Sequence, residues 1–318
     1  MDIYEFLKTS KAYNSFYRDV IGGKAVHAYI LYSQDKYAIA KLSTLFACTL
    51  LCKSETKPCL KCSNCERIIK GLHPDCQIQP TSGDKILVGH IDSITQNVNF
   101  RPCEGDEKVF IIGHGETMNT SSQNKLLKTL EEPVESVYII ITTTNTEILL
   151  PTVKSRCRTI NLELFSQDKI YDYLISIGED KEKSKTVSKL CGGMIGKALD
   201  MTSNQSYIDI YNYIYGLFDN LNTYDDVAEC IANLRTYSDK TEILDIMQLY
   251  FRDCLVTLSG QGNYTFSSQG FKKVYYSAKS LIYFIEQITQ AKKKLGLNCN
   301  YVPVFETLLL ETVQQRKR

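Results

Sequence analysis

The first half of the chain alternates short apolar runs with longer helix-like segments. Each apolar run has the length of a buried strand. The runs lie at 28–32, 76–79, 108–112 and 137–142. The helix-like segments between them lie at 36–51, 89–97 and 120–130. Strands that alternate with helices predict a parallel sheet with helices packed on both faces.

The second half carries helical periodicity and no further strand signal. Glycines at 178 and at 192–193 divide the stretch 167–199 into short helices, and Pro303 opens a last one. We interpret the tyrosine-rich stripes after residue 203 as core or as subunit contacts. The sequence therefore predicts three domains, which are an α/β domain over 1–165, a small helical domain over 166–204 and a helical domain over 205–318.

Composition narrows the class of protein without naming a partner. Hydrophobic residues make up 43% of the 318 positions and charged residues 23%, which is average for folded globular domains and excludes a disordered chain. The 37 Lys and Arg against 36 Asp and Glu leave a net charge of +1, so any nucleic-acid contact must come from a local patch. The sequence contains no membrane-length apolar run and begins without a secretion signal, so we expect a cytosolic protein with reduced thiols.

Four of the twelve cysteines are clustered, at Cys52, Cys59, Cys62 and Cys65. A two-residue spacer bends the backbone so that two thiolates point at one ion, and four thiolates complete a closed tetrahedral shell. The spacing predicts a structural zinc site, since no coordination position is left open for water. The alternative is four reduced thiols in a loop.

The loop after the first predicted strand has the position of a phosphate-binding loop but not its chemistry. Such a loop needs glycines, a lysine for the outer phosphates and a hydroxyl for magnesium. Ser33 and Ala38 stand where the glycines belong, Ile39 replaces the lysine, and Ala40 replaces the hydroxyl. The sequence predicts that this loop binds no nucleotide.

Several motifs occur together in the order and spacing of one family. They are HAYIL at 27–31, the four cysteines followed by GLHPD at 71–75, NKLLKTLEEP at 124–133 and LLPTVKSRC at 149–157, with a weaker match at 192–199. Together they resemble the bacterial clamp-loader ATPases of the AAA+ class, and most of all the delta-prime subunits of DNA polymerase III. The resemblance implies an AAA+ P-loop-type sheet with a zinc knuckle inserted at 52–65, a helical lid and an all-α collar that oligomerises.

The same resemblance implies that a second nucleotide element is lost. After the strand at 108–112, relatives carry acidic residues that hold magnesium and polarise water. Here Gly113 and His114 take those positions, and Glu116 lies two residues too late. The family's phosphate-sensing loop, at 143–145, and Lys197 are then expected to be idle. We expect the chain to bind no ATP and to be no enzyme by itself.

Arg156, in the Ser-Arg-Cys motif, is the candidate catalytic residue. Considered alone, this arginine is more typical of an ion pair within its own domain. The resemblance implies an arginine finger that acts in trans on the ATP site of a neighbouring subunit. The implied partners are the gamma or tau ATPase subunits, the delta subunit and, through the assembly, the sliding clamp and primer–template DNA. The implied function is that of a stator during ATP-driven clamp loading in DNA replication.

Three points stay open in the sequence. Relatives have two more residues between the first and second zinc ligands, so Cys48, one turn before Cys52, is an alternative ligand. An active gamma- or tau-like ATPase and a stand-alone zinc-containing DNA-binding module are the competing functions. Few acids offset the basic residues around the knuckle, which form either a DNA contact or a solvated face and are Lys53, Lys57, Lys61, Arg67 and Lys70.

Overall fold

The computed structural model describes residues 1–83, 85–237, 240–260, 274–297 and 299–316. Five parallel strands form one sheet in the spatial order β2-β3-β4-β1-β5. The strands are β1 Ala28–Tyr32, β2 Cys76–Gln79, β3 Lys108–Ile112, β4 Val137–Thr143 and β5 Arg158–Asn161. Four of them match the predicted runs. The sequence pattern missed β5, since only Ile160 of its four residues is buried.

The helices of the described residues are numbered in chain order. Those up to residue 203 are α1 Ile3–Lys8, α2 Lys11–Ile21, α3 Lys36–Leu51, α4 Ser63–Ile69, α5 Val88–Asn97, α6 Thr120–Glu131, α7 Pro151–Lys154, α8 Gln167–Ser176, α9 Lys181–Leu190 and α10 Ile195–Ser203. Those that follow are α11 Gln205–Asn220, α12 Tyr224–Leu234, α13 Lys240–Leu258, α14 Ala278–Gly296 and α15 Tyr301–Gln314. None of the helices in the described ranges is both long and apolar enough to cross a membrane.

The chain forms two compact units. The first comprises Met1–Ser184 with Cys191–Leu199, and the second comprises Lys185–Leu190 with Asp200–Arg318. The first unit holds the whole sheet and the four clustered cysteines. The division into three domains at 165 and 204 stays a prediction.

Alternate strand residues of the first unit face opposite layers of helices. Ile30, Phe110 and Ile141 pack with α5 and α6 in one fully buried cluster. On the other face, Phe16 of α2 stacks on Phe46 of α3 at 3.6 Å between ring centroids, and Tyr29 meets both rings edge-on. Helices therefore cover both faces, and the predicted α/β fold class is confirmed.

The second unit is helical throughout its described elements. Its core is aromatic, with Phe218 of α11 stacked on Tyr250 of α13 at 4.5 Å, and with Phe251 of α13 against Phe284 of α14 at 5.0 Å. The helical periodicity predicted for this part of the chain is confirmed. Part of the predicted helical domain, residues 261–273, lies outside the described residues.

Candidate functional site

The four clustered cysteines converge where α3 ends and α4 begins. Cys52 terminates α3, Cys62 precedes the first residue of α4, and Cys65 lies in its first turn. All four Sγ atoms lie within 4.8 Å of one another, with Cys52 Sγ 3.6 Å from Cys59 Sγ and 3.9 Å from Cys62 Sγ. A tetrahedral shell with bonds of about 2.3 Å separates its sulfurs by about 3.8 Å. The cluster therefore has the dimensions and the donor set of a four-thiolate metal site.

The sulfurs of this cluster differ in acidity. Backbone N–H groups, first that of Lys61, lower the pKa of the Cys59 thiol to about 6. Burial raises the pKa of Cys52 to about 12 and also raises that of Cys62, while a hydrogen bond with Cys48 and burial raise that of Cys65. Cys59 is therefore the most acidic of the four thiols. A dication bound by all four sulfurs would displace the remaining protons, which couples metal binding to pH.

Cys48 is not part of the converging set. Its buried thiol points at the backbone carbonyl of Cys65, at 3.9 Å, while Cys52 meets two of the other sulfurs within 4 Å. The structure thus brings Cys52, rather than Cys48, together with Cys59, Cys62 and Cys65. The position of Leu60 between two ligands requires a left-handed backbone, with φ of 59°, which makes the tight knuckle.

A second set of contacts, missed in the sequence, joins the knuckle to the loop before β3. Arg67 of α4 forms a two-point ion pair with Glu104, with Nη1 to Oε1 at 2.8 Å, and Lys53 Nζ donates to the Glu104 carbonyl at 2.8 Å. Asp75, fully buried, accepts the backbone amides of Cys103 at 2.6 Å and Glu104 at 2.8 Å. The sequence drew attention to Asp75 only as the last residue of the GLHPD motif. The motif does not predict that its carboxylate binds loop 101–106.

The two segments that the sequence compares with nucleotide-binding elements line one cavity at the carboxyl ends of β2, β3 and β4. The cavity has a volume of about 190 Å³ and is bounded by Ile39 and Ala40 of α3 and by Gly113 and His114 after β3. Ile39, which the sequence comparison aligns with the phosphate-binding lysine, is a buried apolar side chain that is only 3% exposed. The structure thus brings Ile39, Ala40, Gly113 and His114 together, as expected if both elements once served one ligand.

Glu116 lies two residues after the position expected for a catalytic acid, and its carboxylate connects two loops. Its Oε2 accepts the backbone amide of Thr144 at 3.1 Å, and its Oε1 lies 3.8 Å from Nδ1 of His114. His114 itself adopts a left-handed backbone with φ of 53°. The carboxylate therefore joins the loop after β3 to the loop after β4.

The loop between β1 and α3 is closed by its own side chains. The Ser33 hydroxyl accepts the backbone amide of Asp35 at 3.2 Å, and Asp35 caps α3 by accepting the amide of Ala38 at 3.0 Å. Both side chains are buried. Asp35 was missed in the sequence, where only its neighbours were compared with a phosphate-binding loop.

Arg156 lies on the surface just after α7. Its Nη2 is 2.8 Å from Oε1 of Glu131, and its Nη1 donates to the Thr152 carbonyl at 2.9 Å. About a third of the Arg156 side chain is exposed, at 34%. The structure thus contains the ion pair that the arginine alone predicted. Arg158, by contrast, bonds to Ser15 at 3.2 Å and to Asp19, which anchors β5 to α2.

Comparison with known families identifies the chain. The model of the family described as DNA polymerase III, delta subunit, matches residues 8–166, which is half of the 318 positions. The chain belongs to this family. The part matched by the DNA polymerase III delta-subunit family contains the cysteine cluster, the residues that line the cavity and Arg156.

This member of the DNA polymerase III delta-subunit family also has relatives that match beyond the sheet. The delta' subunit of DNA polymerase III from Bacillus subtilis is 26% identical over 313 residues, which cover 94% of this chain and 93% of the relative. A gamma subunit from Buchnera aphidicola is 29% identical over 198 residues, or 60% of this chain and 54% of the relative. A gamma subunit-related protein of Thermotoga maritima, of solved structure, covers 95% of this chain and 98% of its own at 15% identity, with a TM-score of 0.47.

Proposed function

We propose that this chain is a cytoplasmic, non-hydrolysing clamp-loader subunit of the delta-prime type. In this proposal it assembles with gamma or tau ATPase subunits and a delta subunit. It acts as a stator and lends Arg156 to a neighbour while the assembly loads the sliding clamp onto primer–template DNA. The similarity to a delta' subunit along 94% of the chain supports this choice over the gamma subunits.

The chemistry of the cavity supports a subunit that does not hydrolyse ATP. Catalysis of phosphoryl transfer depends on positioning and on charge, from a lysine, a magnesium ion and its ligands. The cavity has Ile39 and Ala40 at the first element and Gly113 and His114 at the second. Its other charged lining residues, Lys36, Lys41 and Glu116, stand outside the positions that the two elements give to the lysine and the acids. Neither element retains the groups that hold a triphosphate, so we assign no hydrolytic step to this chain.

The observation that carries the proposal is a partly exposed arginine in a chain whose cavity has Ile39 and Ala40 where the sequence comparison places the phosphate-binding lysine and the magnesium hydroxyl. The pair between Arg156 and Glu131 is solvent-exposed on both sides, at 34% and 46%. Such pairs contribute about 0–1 kcal/mol, so exchange of the carboxylate for a phosphate of a neighbouring subunit costs little. A guanidinium binds phosphate oxygens in a two-point geometry that lysine lacks.

Reconstitution of the assembly tests the arginine finger. We expect Arg156→Ala to leave the complex intact by size-exclusion chromatography and to lower its clamp- and DNA-stimulated ATPase by about tenfold or more. Lys154→Ala, which removes a positive charge two residues away, is the matched control and should keep wild-type turnover. Wild-type turnover in the Arg156→Ala assembly would refute the finger.

An active ATPase is the second candidate, because gamma subunits also match the chain. Equilibrium binding of labelled ATP to the isolated chain separates the two functions. We expect no magnesium-dependent binding at micromolar ATP. Tight binding would favour the gamma-like function and would contradict the proposal that the cavity holds no ATP.

We propose that the metal of the cysteine cluster is zinc. Four thiolates at tetrahedral spacing are the donor set of structural zinc sites, and they leave no position for a reactive water. The contacts of Arg67, Lys53 and Asp75 with loop 101–106 give such an ion a structural role. It would hold the junction of α3 and α4 in the shape that supports this loop.

A further inference from the structure

The carboxylate of Asp35 joins two segments that are 161 positions apart in the chain. Its Oδ1 accepts the amide of Ala38 in the first turn of α3, at 3.0 Å. Its Oδ2 accepts the amide of Gly196 in the first turn of α10, also at 3.0 Å. Asp35 is 5% exposed, so this two-sided contact is shielded from solvent. All of these residues belong to the first unit.

The start of α3 is the place where a phosphate-binding loop would present its amides. A helix N-terminus carries unpaired N–H groups and a partial positive charge, which favour an anion. In this chain the anion is Asp35, covalently part of the loop. It already occupies the amide of Ala38, and its negative charge lies at the end of α3 that would favour an anion, so it opposes phosphate binding there by both occupancy and repulsion.

The partner segment 191–199 is shaped to approach this carboxylate closely. A Cβ on Gly196 would lie 2.5 Å from Cβ of Tyr37 and 2.8 Å from Oδ1 of Asp35, closer than real side chains approach. Gly193 has φ of +83°, and its carbonyl accepts the amide of Phe165 at 2.9 Å. The amide of Gly196 thus holds the segment to Asp35 and the carbonyl of Gly193 holds it to Phe165, and a side chain at either glycine would prevent this close approach.

We propose that Asp35 is an internal substitute for a bound phosphate, which excludes nucleotide from the start of α3 and fixes the segment 191–199 in place. The inference rests on the proposed function, in which this chain binds no ATP. A bound phosphate would contact both a loop amide and the neighbouring helix only while ligand is present. A carboxylate in the chain makes both contacts permanently, which suits a subunit whose shape does not follow the nucleotide cycle.

Three variants separate this role from simple helix capping. Asp35→Ser keeps a residue that caps helices about as well as Asp, but its single, shorter oxygen cannot serve both amides. Asp35→Asn keeps the length and removes the charge and one acceptor. Gly196→Ala leaves Asp35 intact and forces the segment away from Tyr37. Asn119→Ala, which removes the exposed cap of α6, is the control that touches neither segment.

The measurement is amide hydrogen exchange of the full chain without nucleotide. We expect the 191–199 peptide to exchange at least about tenfold faster in Asp35→Ser and Gly196→Ala, with a smaller increase in Asp35→Asn. The peptide covering β3 should exchange as in wild type in every variant, which shows that the sheet remains folded. Asn119→Ala should leave 191–199 unchanged.

One result would refute the role of Asp35, and a different result would refute the proposed function. Wild-type exchange of 191–199 in both Asp35→Ser and Gly196→Ala would refute the role of Asp35, whatever the chain does with ATP. Tight ATP binding by the wild-type chain, measured by equilibrium dialysis, would instead refute the proposed function.

Discussion

Asp75 and the backbone amide of Cys103 form a 2.6 Å hydrogen bond inside the protein, and the second carboxylate oxygen of Asp75 receives the amide of Glu104 at 2.8 Å. One buried side chain therefore holds the loop that precedes β3. On its exposed side, Arg67 and Lys53 donate hydrogen bonds to Glu104 of the same loop. The segment after the cysteine cluster and the edge of the sheet are thus joined by polar contacts on two sides.

Replacement of Asp75 by Ala should destabilise the fold strongly. It removes both hydrogen bonds from the Asp75 carboxylate to the amides of Cys103 and Glu104. Bonds to charged groups contribute about 1.5–3 kcal/mol each, so we expect a loss of about 2–5 kcal/mol. Urea denaturation in zinc-containing buffer measures this loss of unfolding free energy. Glu104→Gln, which weakens the exposed pair with Arg67, should shift the midpoint much less. A midpoint for Asp75→Ala equal to that of wild type would show that loop 101–106 finds other partners.

Metal analysis of the purified chain should return about one zinc per molecule. Cys52→Ser and Cys62→Ser should lose the metal, while Cys48→Ser should keep it, because the Cys48 sulfur lies outside the converging set. Retention of zinc by Cys52→Ser together with its loss from Cys48→Ser would reverse the ligand assignment. Removal of zinc by a chelator should lower the thermal midpoint.

His73 should make the fold less stable as the pH falls. Burial first, and then the charge of Arg67, lower its pKa below the ordinary value of 6.5. The imidazole stays neutral in the fold while the unfolded chain takes up a proton, so stability is lost as the pH falls through about 6.5. With excess zinc throughout, His73→Gln should flatten the decline in unfolding free energy between about pH 7.5 and 5.5. Parallel pH profiles for the two chains would contradict this assignment.

Gly115 should tolerate no side chain. A Cβ there would lie 2.8 Å from Cγ2 of Ile141 and 3.0 Å from the carbonyl of Thr142, both part of β4. We expect Gly115→Ala to cost about 1–3 kcal/mol, as overpacking of a core does. Gly89→Ala is the matched control, since a Cβ at Gly89 meets nothing within 4 Å and alanine favours the helix α5. Equal midpoints for the two variants in thermal unfolding would show that the loop after β3 moves aside at little cost.

Much of the fold was readable from local patterns. The runs that became β1 to β4 and the cysteine spacing each occupy a continuous stretch, where period and spacing report directly on strands and on a metal knuckle. The short strand β5 could not be predicted, because Ile160 is its only buried residue and its paired residues in β1 lie 129 positions away. The sequence could not choose between Cys48 and Cys52, and only the structure shows that the sulfur of Cys52, one turn later in α3, converges with those of the other three cysteines.

The sequence by itself determined the alternation of strands and helices, the four-cysteine donor set and the residue types at 33–40 and 113–114, because these are statements about neighbours along the chain. The tertiary structure decided the strand order and the hydrogen-bond partners of Asp35, Asp75 and Glu116. Each of these carboxylates accepts backbone amides from a distant segment. Because any residue type can supply such an amide, the sequence carries no signal for the pairing until the sheet brings the segments together.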